Sequence, residues 1–401
     1  MKVLFVVSTF PALSETFILN QMTGFLDAGH DVTILAMSKV NGKAHPDVVR
    51  YGLMDKVTFV NVPKSIGQKL VRVTQHFVKN PIRTVQLLNY WRYGKFIFSL
   101  RPLLAEKYIK NQSTYDAIIA HYGSNGLLLS ILESESVTNR FVFFHGNDVT
   151  GFVERFGSEI YQPLFQSTIT LLPISRLWAK KVKEYGAAEH RVRVHHMGVD
   201  LNKFTPVTLP SQFEETIQLL LIGRLTEKKG IDIAISSTAR LRSKGYPVEL
   251  TVIGDGEKKQ VLMAQAEALG VKKQVHFTGW LTQTEVQQSI QKASIILQPS
   301  RVAENGDMEG IPVSLMEALA KGKLVISTYH SGIPELVEHE YNGLLAVEND
   351  AMALTHHIES MIRMTDTNRQ RMSRNAIQKV ADEFNIETLN QRLMEMCEVK
   401  G

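Results

Sequence analysis

Short apolar, β-branched runs recur along the whole chain, and each leads into a stretch with helical spacing. In the first half they fall at Val3–Val7, Asp31–Leu35, Val57–Val60, Ala117–Ala120, Arg140–Phe144 and Thr168–Leu172, with a helix expected from about Glu15 to Ala28. The rhythm restarts at Ile217–Ile222, with a helix from about Lys229. It continues through Glu249–Ile253, Gln274–Phe277, Ser294–Leu297, Leu324–Ser327 and Leu344–Ala346. Strands so evenly apolar need cover on both faces, which helices flanking a parallel sheet provide. Two such successions predict an α/β chain of two Rossmann-like domains, residues 1–200 and 201–385. The boundary is expected from Gly198-Val199-Asp200 to Pro210-Ser211, where glycine and two prolines interrupt the periodicity. The helical tail from about 386 to 401 is expected to pack back on the first domain.

A length of 401 residues suits two domains, each with its own core. Cys397 is the only cysteine, which excludes an intrachain disulfide and a cysteine-built zinc site and fits a reducing cytoplasm. The Val3–Val7 run is too short for a signal segment, and no run of apolar residues is long enough to span a bilayer. The net charge of +5 leans toward anionic partners. The cations form no nucleic-acid motif, so a nucleic-acid partner is not expected. They are concentrated in 64–110, which holds ten Lys/Arg and one acid, Glu106, among Phe77, Tyr90, Trp91, Tyr93, Phe96 and Phe98. That stretch reads either as domain-packing helices with solvated basic faces or as a peripheral surface for anionic lipid or a lipid-linked acceptor.

Four segments carry candidate chemistry. In Glu309-Gly310-Ile311-Pro312-Val313-Ser314-Leu315-Met316-Glu317 a helix is expected to open near Pro312. Its free N–H groups suit an anion or sugar hydroxyls, and Glu309 and Glu317 can accept hydroxyl protons. Gly223-Arg224-Leu225-Thr226-Glu227-Lys228-Lys229-Gly230 follows the first strand of the second half, where open α/β sheets bind ligands. Arg224 offers a fork to phosphate and Lys229 a point charge, while the flanking glycines permit close approach. His145, in Phe144-His145-Gly146-Asn147-Asp148, stands at a strand end, as does His121. Thr9-Phe10-Pro11-Ala12-Leu13-Ser14-Glu15 follows the first strand, with Ser14 a plausible helix cap.

Together, Glu309-x7-Glu317, the Gly223–Gly230 motif and Met197-Gly198-Val199-Asp200 resemble family 4 of the retaining glycosyltransferases, which have the two-domain GT-B fold. The resemblance covers essentially the whole chain. Phe10-Pro11-x2-Ser14-Glu15-Thr16-Phe17, Phe144 to Asp148 and Gly306 to Pro312 are similar to exopolysaccharide enzymes of the colanic-acid type. The resemblance implies two sheets facing a central cleft. It implies that Arg224 and Lys229 hold a donor diphosphate, that Glu309 meets the transferred sugar and that Glu317 meets the ribose. It further implies that the backbone of Gly310, Ile311, Pro312 and Val313 meets sugar and phosphate, that Trp280 and Leu281 read the base, and that Gly223 and Gly254 line the donor side. His145 would lie beside the sugar. Many relatives carry a Gly-Gly loop after the first strand, where this chain has Ala12-Leu13-Ser14-Glu15. Phe10, Pro11, Ser14 and Glu15 of this loop are therefore assigned to the acceptor, and the strand-end His121 is assigned there with them.

Apart from Asp307-Met308-Glu309, no strand-end acidic pair suggests a metal clamp, so fixed cations are expected to offset the leaving diphosphate and no metal is expected. The family implies front-face substitution with retention, a nucleotide-sugar donor with UDP favoured, and a lipid-linked oligosaccharide acceptor. Two rivals stay open: a GT-B sugar-nucleotide epimerase and a non-catalytic scaffold of polysaccharide assembly. A nicotinamide oxidoreductase is disfavoured, because Gly254-Asp255-Gly256 has Lys259 where the fingerprint needs a third glycine.

Overall fold

The computed structural model describes residues 1–12, 15–40, 44–63, 65–109, 115–132 and 139–398. The chain divides into two units, Met1–His195 with Glu387–Gly401, and His196–Ile386.

In the first unit, β1 (Lys2–Phe10), β2 (Asp31–Lys39), β3 (Val57–Phe59), β4 (Ala117–His121), β5 (Asn139–Phe144) and β6 (Thr170–Pro173) form one sheet ordered β3-β2-β1-β4-β5-β6. Every pairing is parallel. β4 is buried along its whole length, as a central strand covered on both faces must be. β1 and β2 run past their apolar runs, because the ladder continues through Thr9–Ser38 and Phe10–Lys39. Backbone pairing, rather than hydrophobicity, sets those strand ends. The helix after β1 covers Thr16–Asp27, with Glu15 at the N-cap position and no side-chain cap. Ser14, the expected cap, lies outside the described residues. Helix Ile386–Glu398 completes this unit. The Asn139 side chain donates to the Cys397 carbonyl at 2.6 Å, and His195 Nε2 lies 3.1 Å from the Leu389 carbonyl.

The second unit holds β7 (Ile217–Ile222), β8 (Val248–Ile253), β9 (Val275–Gly279), β10 (Ile295–Gln298), β11 (Leu324–Thr328) and β12 (Leu344–Ala346), ordered β12-β11-β10-β7-β8-β9. Leu219, Leu221, Leu250, Val252, Ile295, Leu297 and Ile326 form its core with the helices. The helix expected from Lys229 begins two residues later. Glu227–Lys229 is a 3-10 turn, Gly230 is left-handed at φ 62°, and the α-helix spans Ile231–Ser243. A side chain on Gly230 would collide with the Pro299 carbonyl, so glycine is required at this turn.

The two sheets share one wiring. In each, the strand order reverses beside the first strand, between β1 and β4 and between β7 and β10. Crevices at the carboxyl ends of strands open at such reversals, and ligands of open α/β sheets bind there.

Candidate functional site

At the β7/β10 reversal, the loop after β7 meets the loop after β10. Lys229 Nζ lies 3.1 Å from Glu309 Oε2, and Lys228 Nζ lies 3.0 Å from Asp307 Oδ2 and 3.7 Å from Glu309 Oε1. Gly223 makes this possible, because a Cβ there would press on the Lys229 side chain. Glu309 is buried, which opposes its ionisation, but Lys229 and Lys228 outweigh that cost and hold the carboxyl below its ordinary range. Its Oε1 is buried without a hydrogen bond among the described residues. The loop is braced from behind. The Glu309 N–H donates to His330 Nε2 at 3.0 Å, and His330 Nδ1 lies 2.7 Å from Glu348 Oε1. Since Nε2 accepts, Nδ1 carries the proton and donates to Glu348. A second Glu348 oxygen accepts the Val302 N–H.

The helix after this loop runs Val313–Ala320, so Pro312 occupies the N-cap rather than the first helical position, and no side chain caps the N–H groups behind it. Glu317 sits within that helix. Burial raises its pKa to about 8, so at neutral pH the carboxyl is largely protonated. Glu317, expected to be solvated if it had no function, is instead half-buried, and its carboxyl has no hydrogen-bond partner among the described residues. Arg224 is exposed and likewise forms no ion pair among them. The loops after β7, β8 and β9 stack closely. The Gly223 N–H donates to the Ile253 carbonyl and the Gly254 N–H to the Gly279 carbonyl, both at 2.9 Å. Gly254 has φ 134°, and a Cβ there would strike the Gly223 carbonyl. Trp280 is exposed and Leu281 partly so, just beyond β9, while Ile311 and Pro312 are buried and Gly310 and Val313 half-buried.

The β1/β4 reversal is built differently. His145 Nε2 lies 3.0 Å from His121 Nδ1. His121 is wholly buried and stacked against Phe143 at 5.0 Å and Phe5 at 6.2 Å, so it supports His145 and cannot meet an acceptor directly. This corrects its expected acceptor role. Burial pushes the His145 pKa down to about 3, and burial plus the neighbouring His145 hold His121 well below its ordinary value. Both rings are neutral, and one donates to the other. His145 Nδ1 is buried with no partner among the described residues. The ring is packed by Phe17 at 4.8 Å and Tyr122 at 4.7 Å. Tyr122 has φ 72°, an unfavourable conformation for tyrosine that aims its hydroxyl at Glu15 Oε1, 2.9 Å away. Asp148 fastens the loop by accepting from the N–H groups of His145, Gly146 and Gly123 at 2.8–2.9 Å. Burial still raises its pKa to about 6 against those donors. Glu15 is also shifted upward by burial, opposed by Tyr122. Phe10 and Pro11 are buried at the end of β1, where they line a small cavity with Glu15 and His45 rather than an open face.

Lys228, His330, Glu348, Tyr122 and Phe17 escaped the sequence reading. His330 carries the signal that marked His145, a histidine just past an apolar strand. Lys228 was overshadowed by its neighbour. Among the described residues no group of His, Cys, Asp and Glu is arranged to hold a metal ion.

Two parallel α/β units, each with its strand order reversing beside its first strand, define the GT-B architecture. HepE of Anabaena, solved with UDP and glucose, shares it with TM-score 0.72 over 100% of both chains at 17% identity. Residues 210–379 match the family described as glycosyl transferases group 1. WcaL of Salmonella typhimurium, a glycosyltransferase named for colanic acid biosynthesis, is 33% identical over 99% of this chain and 100% of its own. The amylovoran biosynthesis glycosyltransferase AmsK of Erwinia amylovora is 36% identical over 88% of this chain and 89% of its own. The chain belongs to the group 1 glycosyltransferases.

Proposed function

We propose that this glycosyltransferase moves a sugar from a nucleotide diphosphate donor, with UDP favoured, onto a lipid-linked oligosaccharide during exopolysaccharide assembly, retaining anomeric configuration without a metal. One observation carries the reading: two lysines converge on buried Glu309 at the β7/β10 reversal, beside the loop of Arg224 and the helix of Glu317, whose ionisable groups have no partner among the described residues. In this reading the diphosphate takes Lys229 and Arg224 as its counter-ions, and the free Oε1 of Glu309 accepts a hydroxyl of the transferred sugar. Glu317 bonds the ribose hydroxyls. Trp280 and Leu281 border the base, and the backbone of Gly223, Gly254 and 310–313 approaches phosphate and sugar. The neutral His145 offers its unpartnered Nδ1 to a sugar hydroxyl, and the loop of Pro11 and Glu15 serves the acceptor. A donor phosphate oxygen accepts the acceptor's hydroxyl proton. The bond from anomeric carbon to leaving phosphate breaks, and the new glycosidic bond forms on the same face. Fixed cations offset the charge on the departing diphosphate.

The polymers named for WcaL and AmsK, and the UDP and glucose of HepE, support the substrate classes. Incubation with UDP- and GDP-sugars, with and without EDTA, tests the reading. Turnover of a UDP-sugar that survives EDTA is expected, and strict dependence on magnesium or manganese overturns the metal-free step. An isomerised sugar nucleotide formed without acceptor identifies an epimerase, and binding without turnover across an acceptor panel identifies a scaffold. Glu309→Ala is expected to lower transfer more than it lowers UDP affinity. Equal losses in both refute its sugar contact.

A further inference from the structure

Between β3 and β4 the chain builds a surface that neither crevice uses. Helix Ile66–Lys79 has no buried residue. Ile66, Leu70, Val73 and Phe77 are spaced four, three and four apart, which aligns them in one stripe. Ile66 remains 77% exposed, Leu70 63% and Phe77 48%, and only Val73 is partly covered. The helix is tethered at its inner edge instead, where His76 bonds Thr84 Oγ1 at 2.7 Å and Glu106 at 2.9 Å. Helix Pro81–Leu87 leaves Ile82 and Val85 exposed. Trp91 follows, 95% exposed, against Tyr90, which in turn meets Phe98.

Lys69, Arg72, Lys79, Arg92 and Lys95 are interleaved with these side chains. The one carboxylate of residues 65–109, Glu106, is buried and held by Arg83 at 2.7 Å and by His76. What faces outward is therefore apolar and positive. Domain packing, one of the two sequence expectations, does not account for the stripe, because among the described residues only Val73 of it is partly covered.

Exposed apolar surface on this scale marks a docking face. A second copy of the chain is a poor occupant, since pairing two such faces opposes like charges. A bilayer with anionic headgroups satisfies both features. Phosphates attract the cations, and the interfacial layer accepts tryptophan, phenylalanine and isoleucine. We infer that residues 65–98 form an in-plane anchor for an anionic phospholipid surface, with the helix stripe and the Trp91 cluster entering the interface. The inference does not depend on which donor or acceptor the enzyme uses.

Flotation of the full chain with phosphatidylcholine vesicles, with and without phosphatidylglycerol, tests it. Binding is expected only with phosphatidylglycerol and should weaken with salt. Leu70→Ser with Phe77→Ser should lower the partition coefficient about tenfold or more. Arg72→Gln, Lys79→Gln and Lys95→Gln together should lower it roughly 100-fold, at about fivefold per cation. Trp91 emission should shift to the blue and be quenched by brominated lipid, a signal lost in Trp91→Ser. All these side chains are exposed, so thermal unfolding should match the parent chain and separate lost binding from lost folding. Equal binding to both vesicle types, unchanged binding of the Leu70/Phe77 variant, or dimerisation that this variant abolishes without vesicle binding would each overturn the anchor. Intact vesicle binding with no transfer to a soluble acceptor would instead count against the donor chemistry alone.

Discussion

The two units share a strand order but fill their crevices with opposite electrostatics. At the β7/β10 reversal, Lys228 and Lys229 surround a carboxylate that they keep ionised. At the β1/β4 reversal, His121 and His145 are buried among aromatic rings and kept neutral. One sheet geometry thus offers a loop end to any chemistry. In the proposed function, the side chains at that end decide between gripping an anion and presenting a neutral hydrogen bond.

The largest expected effect follows from removing the charged grip. Lys229→Ala should lower transfer by about 10²–10³-fold, the scale for losing one preorganised group that offsets transition-state charge. It also leaves buried Glu309 without its nearest cation, so UDP affinity should become pH-dependent as that carboxyl takes up a proton. Near-normal turnover in steady-state assays would erase the contrast between the two crevices. A smaller effect is expected on the neutral side. His145→Ala removes one uncharged hydrogen bond and should lower kcat/KM roughly tenfold. A loss as large as that of Lys229→Ala would mean that His145 works as a charge or proton carrier.

Bracing behind Glu309 gives a third test. His330→Ala leaves the Glu309 N–H and a Glu348 oxygen without their partner, at a cost of about 1–3 kcal/mol in stability. Denaturant unfolding should register that loss, and His330→Asn should recover part of it. A fourth test concerns pH. His145 binds a proton near its ordinary pKa of 6.5 when unfolded but only near 3 when folded. The unfolded state therefore holds more protons between those values, and stability falls as pH drops from 6.5 toward 3. Asp148, raised from 3.8 to about 6, acts in the opposite sense, since its folded form binds the proton more tightly and stability falls as pH rises through that window. His145→Gln should make the acid limb of a Tm–pH profile shallower, by at most about one proton in slope. An unchanged limb would show that His145 is protonated in the folded protein.

The strands were legible because each is a compact apolar run, and all twelve expected runs coincide with strands of the two sheets. Strand ends were less legible at β1 and β2, where pairing carries polar Ser38 and Lys39 into the ladder. Local sequence also marked Arg224, Lys229, Glu309 and Glu317, because glycine and proline bracket them at loop–helix junctions. It gave no sign that Lys228 would share Glu309, or that His330 and Glu348 would brace it. Those contacts join residues 18–81 positions apart.

By itself, then, the order of residues determined the alternation of strand and helix, and with it two parallel sheets, while the strand order and its reversals came from pairing between remote segments. Periodicity and turn chemistry act over a few neighbours, so one segment reveals them. Protonation was decided only by the tertiary structure. The neutrality of His145, the proton on Glu317 and the charge on Glu309 depend on how much water is excluded and which cations stand within a few ångströms, and remote segments supply both.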